Sequence, residues 1–590
     1  MANDINDDLK QRTPIDITAF DNRGFKTDEH ENARPTNETV DKQKLLHFDD
    51  LLPHIGEFGN YQKLLFLLMI PFSFFLVFVY FTQIFITLVP EEHWCRVPEL
   101  KHLTVAERLN LAIPIENNKH SKCLMYAINF TEAFENDTKI GNQLWPVKSC
   151  SNGWEFNHSV IPYTTIATEL EWVCDDSTLP TVSQSVFFLG AICGGLLFGW
   201  IADRYGRIPS IIGSNVLAAL AGIATAFSNS FWTFTVCRFI VGFAFDSCYT
   251  IMYILMLEFV GPKWRTFVAN MSIALFLTFG MCTMPLIALW INNWKLLAIA
   301  TSLPMLLVIL VPWIIPESVR WLISKGKIET SIEILKKFER VNKKTIEPHM
   351  YQDFRDTCHH VQAKEEIFKK FSVLDLFKTR RLRKITFLLI IIYMSISLLF
   401  DGYVRNIDSM GLSPFLGFSL GAATELPASS LVTLLLDRWG RRWMGFGTMF
   451  LSGSCSIIAS FCPPGVATTV AIILGRFFVN FSFNIGMQYS AEILPTVVRG
   501  QGVSFIHITG YIATIMSPII VHLGVISPAV PLLILGFCGV CGGGLILLLP
   551  ETLGEQLPQT LEDGEQFGLN QKMWHFPCIH KNDAEVHNQN

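Results

Sequence analysis

Twelve blocks of apolar residues dominate this sequence, and they restrict the folds open to it more than any other feature. They lie at about 61–89, 181–201, 208–228, 231–260, 266–290, 296–315, 385–402, 411–436, 445–461, 466–490, 501–524 and 529–549. Crossing ~30 Å of hydrocarbon takes roughly 20 helical residues, the scale of these blocks. Of the 590 residues, 50% are hydrophobic and only 16% charged; a soluble helical enzyme would carry more charge and hold its apolar residues in short amphipathic runs. In lipid, backbone N–H and C=O groups must pair within the segment, so continuous helices are the expected solution. The chain reads as an all-α integral membrane protein. Residues 1–60 are polar and mixed in charge, with no charged-then-apolar leader, and are expected to form an unstructured tail.

Orientation follows from Lys and Arg in the short connections. DRYGRIP (203–209), GPKWR (261–265), TRRLRK (379–384) and LDRWGRRW (436–443) fall on one side, while SNS (228–230) and PPG (463–465) face the other. Both termini and the 316–384 segment are therefore expected in the cytoplasm of a plasma-membrane protein, and the 90–180 segment outside. That outer segment contains Cys95, Cys123, Cys150 and Cys174, an even number in an oxidising compartment, so disulfides are expected, with three pairings open. Sequons for glycosylation stand there at Asn129, Asn136 and Asn157.

The chain also repeats itself. Asp203-Arg204-x-Gly206-Arg207 recurs as Asp437-Arg438-x-Gly440-Arg441, Glu258 with Arg265 as Glu492 with Arg499, and Pro316-Glu317 as Pro550-Glu551, each 234 residues on. Three motifs at one separation imply two six-helix bundles in tandem, 61–315 and 385–549. A linker at 316–384 joins them, and a tail follows at 550–590. Parallel halves of this kind are one plan for secondary transporters, with substrate held between them near the midplane. The repeated acid–base sets are expected to act as a gate or charge relay, holding the cytoplasmic ends of the two bundles together through ion pairs and helix-end dipoles while the outside is open; the alternative is that they serve only as topology signals and capping groups.

GWIADRYGR (199–207) resembles the loop signature of the major facilitator superfamily. PESVRWLISKGK (316–327), FSVLDLFKTRRLRKIT (371–386), LLLDRWGRR (434–442), AEILPTVVR (491–499) and the outer SCSNGWEFN…TTIATELEWVCD (149–175) resemble its organic cation, anion and carnitine branch, solute carrier family 22. The resemblance runs from about Gly56 to Leu561 and implies the major facilitator fold. Insect-type carriers of carcinine and β-alanine are the members to compare first. The outer loop has four cysteines where many relatives have six, so their disulfide pattern is not carried over.

Ionisable residues inside apolar blocks face water, protein or a partner charge, since an exposed Asp at the bilayer centre costs roughly 3 kcal/mol or more. Asp246 stands mid-block, with Tyr249, Thr250 and Tyr253 on its helical face. Comparable stripes are Tyr393, Ser397 and Asp401; Asn480, Asn484 and Gln488; and Ser504, His507, Tyr511 and Thr514. An acid among aromatic rings suits an organic ammonium, each ring contributing about 0.5–2 kcal/mol. Each acid could instead be a structural carboxylate, and Arg405 lies one turn beyond Asp401. Glu425 matches an acid common among relatives. By family pattern, Tyr511 occupies a position that is Asp in many cation carriers and Arg in anion or carnitine carriers; Asp246 and Asp401 stand where Lys and Gln are common. Negative charge is thus shifted rather than lost.

The expected activity is alternating-access transport of a small organic cation or zwitterionic amine. Asp246 and Asp401 would supply countercharge, Tyr249, Tyr253, Tyr393 and Tyr511 aromatic walls, and Asn484 and Gln488 orienting hydrogen bonds. An organic-anion or sugar carrier, or a non-transporting membrane sensor, are the alternatives. No nucleophile–base pair, metal constellation or GxxxxGK[ST] motif is present, so neither an enzyme, a cofactor, ATP nor nucleic acid is expected. Coupling to Na⁺ or H⁺ and oligomeric state stay open, and His507 reads first as a neutral histidine hydrogen-bonded to a neighbouring helix, with a protonation switch as the alternative.

Overall fold

The computed structural model describes residues 48–571 apart from 117–118, 131, 133–140, 143, 366–371, 407–410, 464, 556 and 570. Among them, twelve helices are long and apolar enough to span a membrane. The first six are Asn60–Ile86, Cys174–Tyr205, Arg207–Thr225, Phe231–Glu258, Lys263–Ile291 and Trp294–Ile314. The second six are Arg380–Arg405, Pro414–Trp439, Arg441–Phe461, Val466–Ile493, Arg499–Val525 and Ala529–Ile546. They are spans one to twelve below; the 90–178 connection marks the loop end and the 316–379 connection the linker end.

Local chemistry sets the span boundaries. Ser230 starts span four with a capping box to Thr233, and Asn293 caps span six through the N–H groups of Lys295 and Leu296. The turns between spans two and three, and eight and nine, need Gly206 (φ 116°) and Gly440 (φ 81°), conformations an L-residue resists. Spans two and four approach backbone to backbone because Gly194 and Gly242 lack side chains: a Cβ on either would collide with the facing carbonyl. Span five contains a π-helical turn over Ser272–Leu277, a device frequent at functional sites.

Each bundle has its own apolar core. That of the first continues onto Phe415 and Phe418 of span eight, which pack against Phe81 and Phe85 of span one at the loop end. Between spans one and two, the loop closes with Cys95–Cys150 and Cys123–Cys174, choosing one of the three open pairings. Two short antiparallel pairs, His93–Cys95 with Trp154–Phe156 and Leu124–Tyr126 with Val147–Ser149, frame it. Thr165 and Tyr163 donate to the Leu88 and Phe85 carbonyls, fixing the loop to the end of span one. Asn129 is exposed, and the Asn157 amide donates to Glu92 at 2.7 Å; Asn136 lies outside the described residues.

Two segments expected as tails are partly built in. Phe48–Ile55 forms a helix that buries Leu51, Leu52 and Ile55, so the unstructured reading fails for these residues. Linker Asn342 ties this region down, accepting from the Tyr61 N–H and donating to the Ile55 carbonyl and Gln62. After span twelve, the Glu565 carboxylate caps span seven by accepting from the N–H groups of Arg381 and Leu382, each at 2.9 Å.

Candidate functional site

Asp246 lies halfway along span four, where the helices Phe231–Phe245 and Ser247–Glu258 meet with backbone still helical (φ −66°, ψ −40°). Its partners come mainly from the other bundle. Tyr511 of span eleven donates its hydroxyl to Oδ1 at 2.7 Å, and His507 Nδ1, one turn earlier on that span, lies 3.9 Å from the same oxygen. Thr250 donates from Asp246's own helix at 3.4 Å. The His507 ring packs edge-on against Tyr511 (centroids 5.1 Å) and beside Tyr393 of span seven (5.9 Å), while Phe245 meets Tyr511 at 5.9 Å. An acid, a hydroxyl and a set of rings thus converge midway along spans four, seven and eleven.

The electrostatics follow from what is missing. Among the described residues no Lys or Arg stands within ion-pair distance of Asp246; the ionisable base there is His507. The Asp246 side chain is 21% exposed and that of His507 24%, in contrast to the sealed Asp401 at 1%. Aromatic faces at this range add about 0.5–2 kcal/mol each for a desolvated cation.

The other expected site residues divide. Tyr393 joins the cluster by its ring, its hydroxyl donating to Met487 Sδ at 3.1 Å. Tyr249 turns inward to the π-turn of span five, donating to Ser272 at 3.2 Å, and Tyr253 lies beside it; both belong to the first bundle rather than to a wall beside Asp246. Asn484 donates to Ser429 and to the Asn480 carbonyl, a packing role within the second bundle. Gln488 donates to Glu492 at 2.9 Å and so belongs to the linker-end charge set.

Asp401 requires a correction. It is 1% exposed, ion-paired with Arg405 at 2.7 Å one turn along its helix, and accepts from Tyr80 of span one. Its charge is already matched, so it offers no countercharge to a substrate. Arg405 lies over the rings of Tyr80 and Phe188, which makes the pair a loop-end bond between the bundles. Tyr80 escaped sequence reading because nothing distinguishes it within the aromatic run FFLVFVYFTQIF.

The repeated charge sets form ion pairs within each bundle, in a conformation whose loop end is joined. Arg207 pairs with Asp203 (2.6 Å) and Glu258 (3.2 Å), and Glu317 accepts from the N–H groups of Arg207 and Ile208. In the second bundle Arg441 pairs with Asp437 (3.0 Å) and Glu492 (2.9 Å), and Glu551 accepts from the N–H groups of Arg441 and Arg442. Arg265 and Arg499 each donate to a carbonyl five residues back. The sets brace the spans of one bundle, with Glu317 and Glu551 capping spans three and nine against the helix dipole. The paired Pro-Glu motifs were the visible signal for those caps. Among the described residues, the ion pairs named here each join groups of one bundle.

Residues 128–563 match the family described as sugar (and other) transporter. The carcinine transporter of Drosophila melanogaster is 33% identical over 94% of this chain and 84% of its own length. Human solute carrier family 22 member 13 is 32% identical over 88% of this chain and 94% of its own, and the Drosophila melanogaster β-alanine transporter 31% identical over 89% and 90%. Among solved structures, the xylose transporter XylE from E. coli is similar in fold, with a TM-score of 0.52 at 15% identity over 85% of this chain and 100% of that one.

Proposed function

The chain belongs to the organic cation, anion and carnitine branch of the major facilitator superfamily, solute carrier family 22, and from that premise we propose that it carries small organic cations or amine-bearing zwitterions across the plasma membrane by alternating access. One observation carries the choice of cargo: Asp246 is a partly exposed acid between the bundles, with a hydroxyl, an imidazole and aromatic rings around it and, among the described residues, no Lys or Arg within ion-pair distance. An ammonium group entering there gains a countercharge and ring faces, whereas an anion would face an uncompensated carboxylate.

Alternating access follows from the ownership of the groups. Asp246 belongs to the first bundle, and Tyr511, His507 and Tyr393 to the second, so rocking one bundle against the other makes or breaks their contact. At the loop end, the phenylalanine pairs and the Tyr80–Asp401 bond join the bundles in the conformation described. The linker-end charge sets keep each bundle stiff as it moves. Both termini and the linker are then cytoplasmic, and the disulfide-closed loop, glycosylated at Asn129, Asn136 and Asn157, is extracellular.

Uptake into expressing cells tests the reading, with carcinine, β-alanine, carnitine, choline, histamine and a model organic anion as candidates. The amines are expected to enter and to compete with one another, and the anion to do neither. Asp246→Asn is expected to cut amine uptake at least tenfold with surface expression retained. Inhibition by anions alone would replace the cargo with an anion. No flux for any compound would leave a membrane sensor as the better description.

A further inference from the structure

We propose that His507 and the substrate are alternative counterions of Asp246, so that each cation carried is exchanged for a proton. The inference rests on the cation reading of the site and adds a coupling ion to it. Its basis is geometric. His507 Nδ1 lies 3.9 Å from Asp246 Oδ1, across the bundle interface, with both side chains partly exposed. Tyr511 and Tyr393 hold the imidazole ring from two sides, so it is kept facing the acid. The ionisable groups facing His507 are Asp246 from span four, Tyr393 from span seven and Tyr511 from its own span. Of these, Asp246 is the carboxylic acid, and histidine as a residue type ordinarily changes charge between pH 5 and 8.

One carboxylate at the midplane balances one positive charge. With the site empty, an imidazolium at His507 supplies it and draws span eleven onto span four. When an organic ammonium arrives, two cations would share a single carboxylate in a poorly solvated place, so the imidazolium gives up its proton to water on the open side. The neutral ring stays as part of the wall. On the return leg the cation leaves, and His507 takes a proton from the opposite side. For a monovalent cation the cycle moves one positive charge each way and no net charge. No covalent bond changes, and water is the only proton carrier needed.

The full chain in proteoliposomes tests this, with pyranine trapped inside, the membrane potential clamped by valinomycin and K⁺, and choline and carcinine as probes. Choline carries a fixed charge, so its own ionisation cannot mimic coupling. The expected result is initial uptake at least fivefold faster with the lumen at pH 6 and the outside at pH 7.5 than with both at pH 7.5. Lumenal alkalinisation should accompany it, and clamping the potential should have little effect on choline. In His507→Gln the ratio of gradient-driven to gradient-free uptake is expected to fall to one, and the dye signal to vanish; if that variant is inactive, the wild-type dye signal decides. Uptake in the wild type that ignores the gradient, while Asp246→Asn still abolishes it, overturns the exchange and leaves the countercharge standing. Absence of uptake of either probe overturns both.

Discussion

Asp246 and Asp401 are both aspartates inside membrane spans, one in each bundle, yet their charges are committed in opposite ways. Asp401 is sealed, with Arg405 one turn away and the Tyr80 hydroxyl on its other oxygen. Asp246 is partly exposed and faces a phenol and an imidazole. Depth in an apolar block therefore does not decide whether an acid serves a ligand; a permanent cation within one helical turn does. The internal repeat sharpens the point. The linker ends of the two bundles carry matching bonds around Arg207 and Arg441, but the position 234 residues after Asp246 is Asn480, fully buried and donating to Thr424. The halves agree where they must be stiff and differ where they would meet cargo.

The largest expected effect comes from breaking the sealed pair. Asp401→Asn leaves the Arg405 guanidinium buried without its countercharge, a loss of about 3–5 kcal/mol, and thermal unfolding of the purified protein should show it. Adding Arg405→Leu is expected to recover most of that stability, because the stranded charge goes too. By the same assay Asp246→Asn should cost less than Asp401→Asn, since its hydrogen-bond donors Tyr511 and Thr250 are hydroxyls and no fixed guanidinium is stranded; an equal drop in both variants would erase the distinction between the two acids. A smaller effect belongs to the ring: Tyr511→Leu should raise KM for a quaternary cation about two- to thirtyfold, the loss of ~0.5–2 kcal/mol of ring attraction. Tyr511→Phe, which keeps the face, should raise it less. The smallest belongs to Gln488→Ala, whose hydrogen bond to Glu492 lies in the brace; its KM should stay within about twofold, and a larger shift than that of Tyr511→Leu would move the site toward the linker end.

Reading along one helix succeeded where the physics is local. The stripe at Asp246 and Thr250 survives as a hydrogen bond, and Glu425, singled out as a family acid, is buried in span eight. It failed where the answer lay on another helix. Tyr249 follows Asp246 by three residues but bonds to Ser272 of span five, and Asn484 shares a stripe with Gln488 but bonds to Ser429 of span eight. The spacing was right in each case; the neighbour was not knowable.

Sequence alone determined the twelve spans, their pairing into two similar bundles and the chain's family, because apolar length and short motifs register within one segment at a time. Tertiary structure decided which cysteines join, that Arg207 and Arg441 pair with acids of their own bundles, and that Asp246 meets Tyr511 and His507 while Asp401 is paired with Arg405. The physical reason is that helical periodicity places a side chain on a face, whereas its charge state and use depend on what the packed bundles bring to that face from hundreds of residues away.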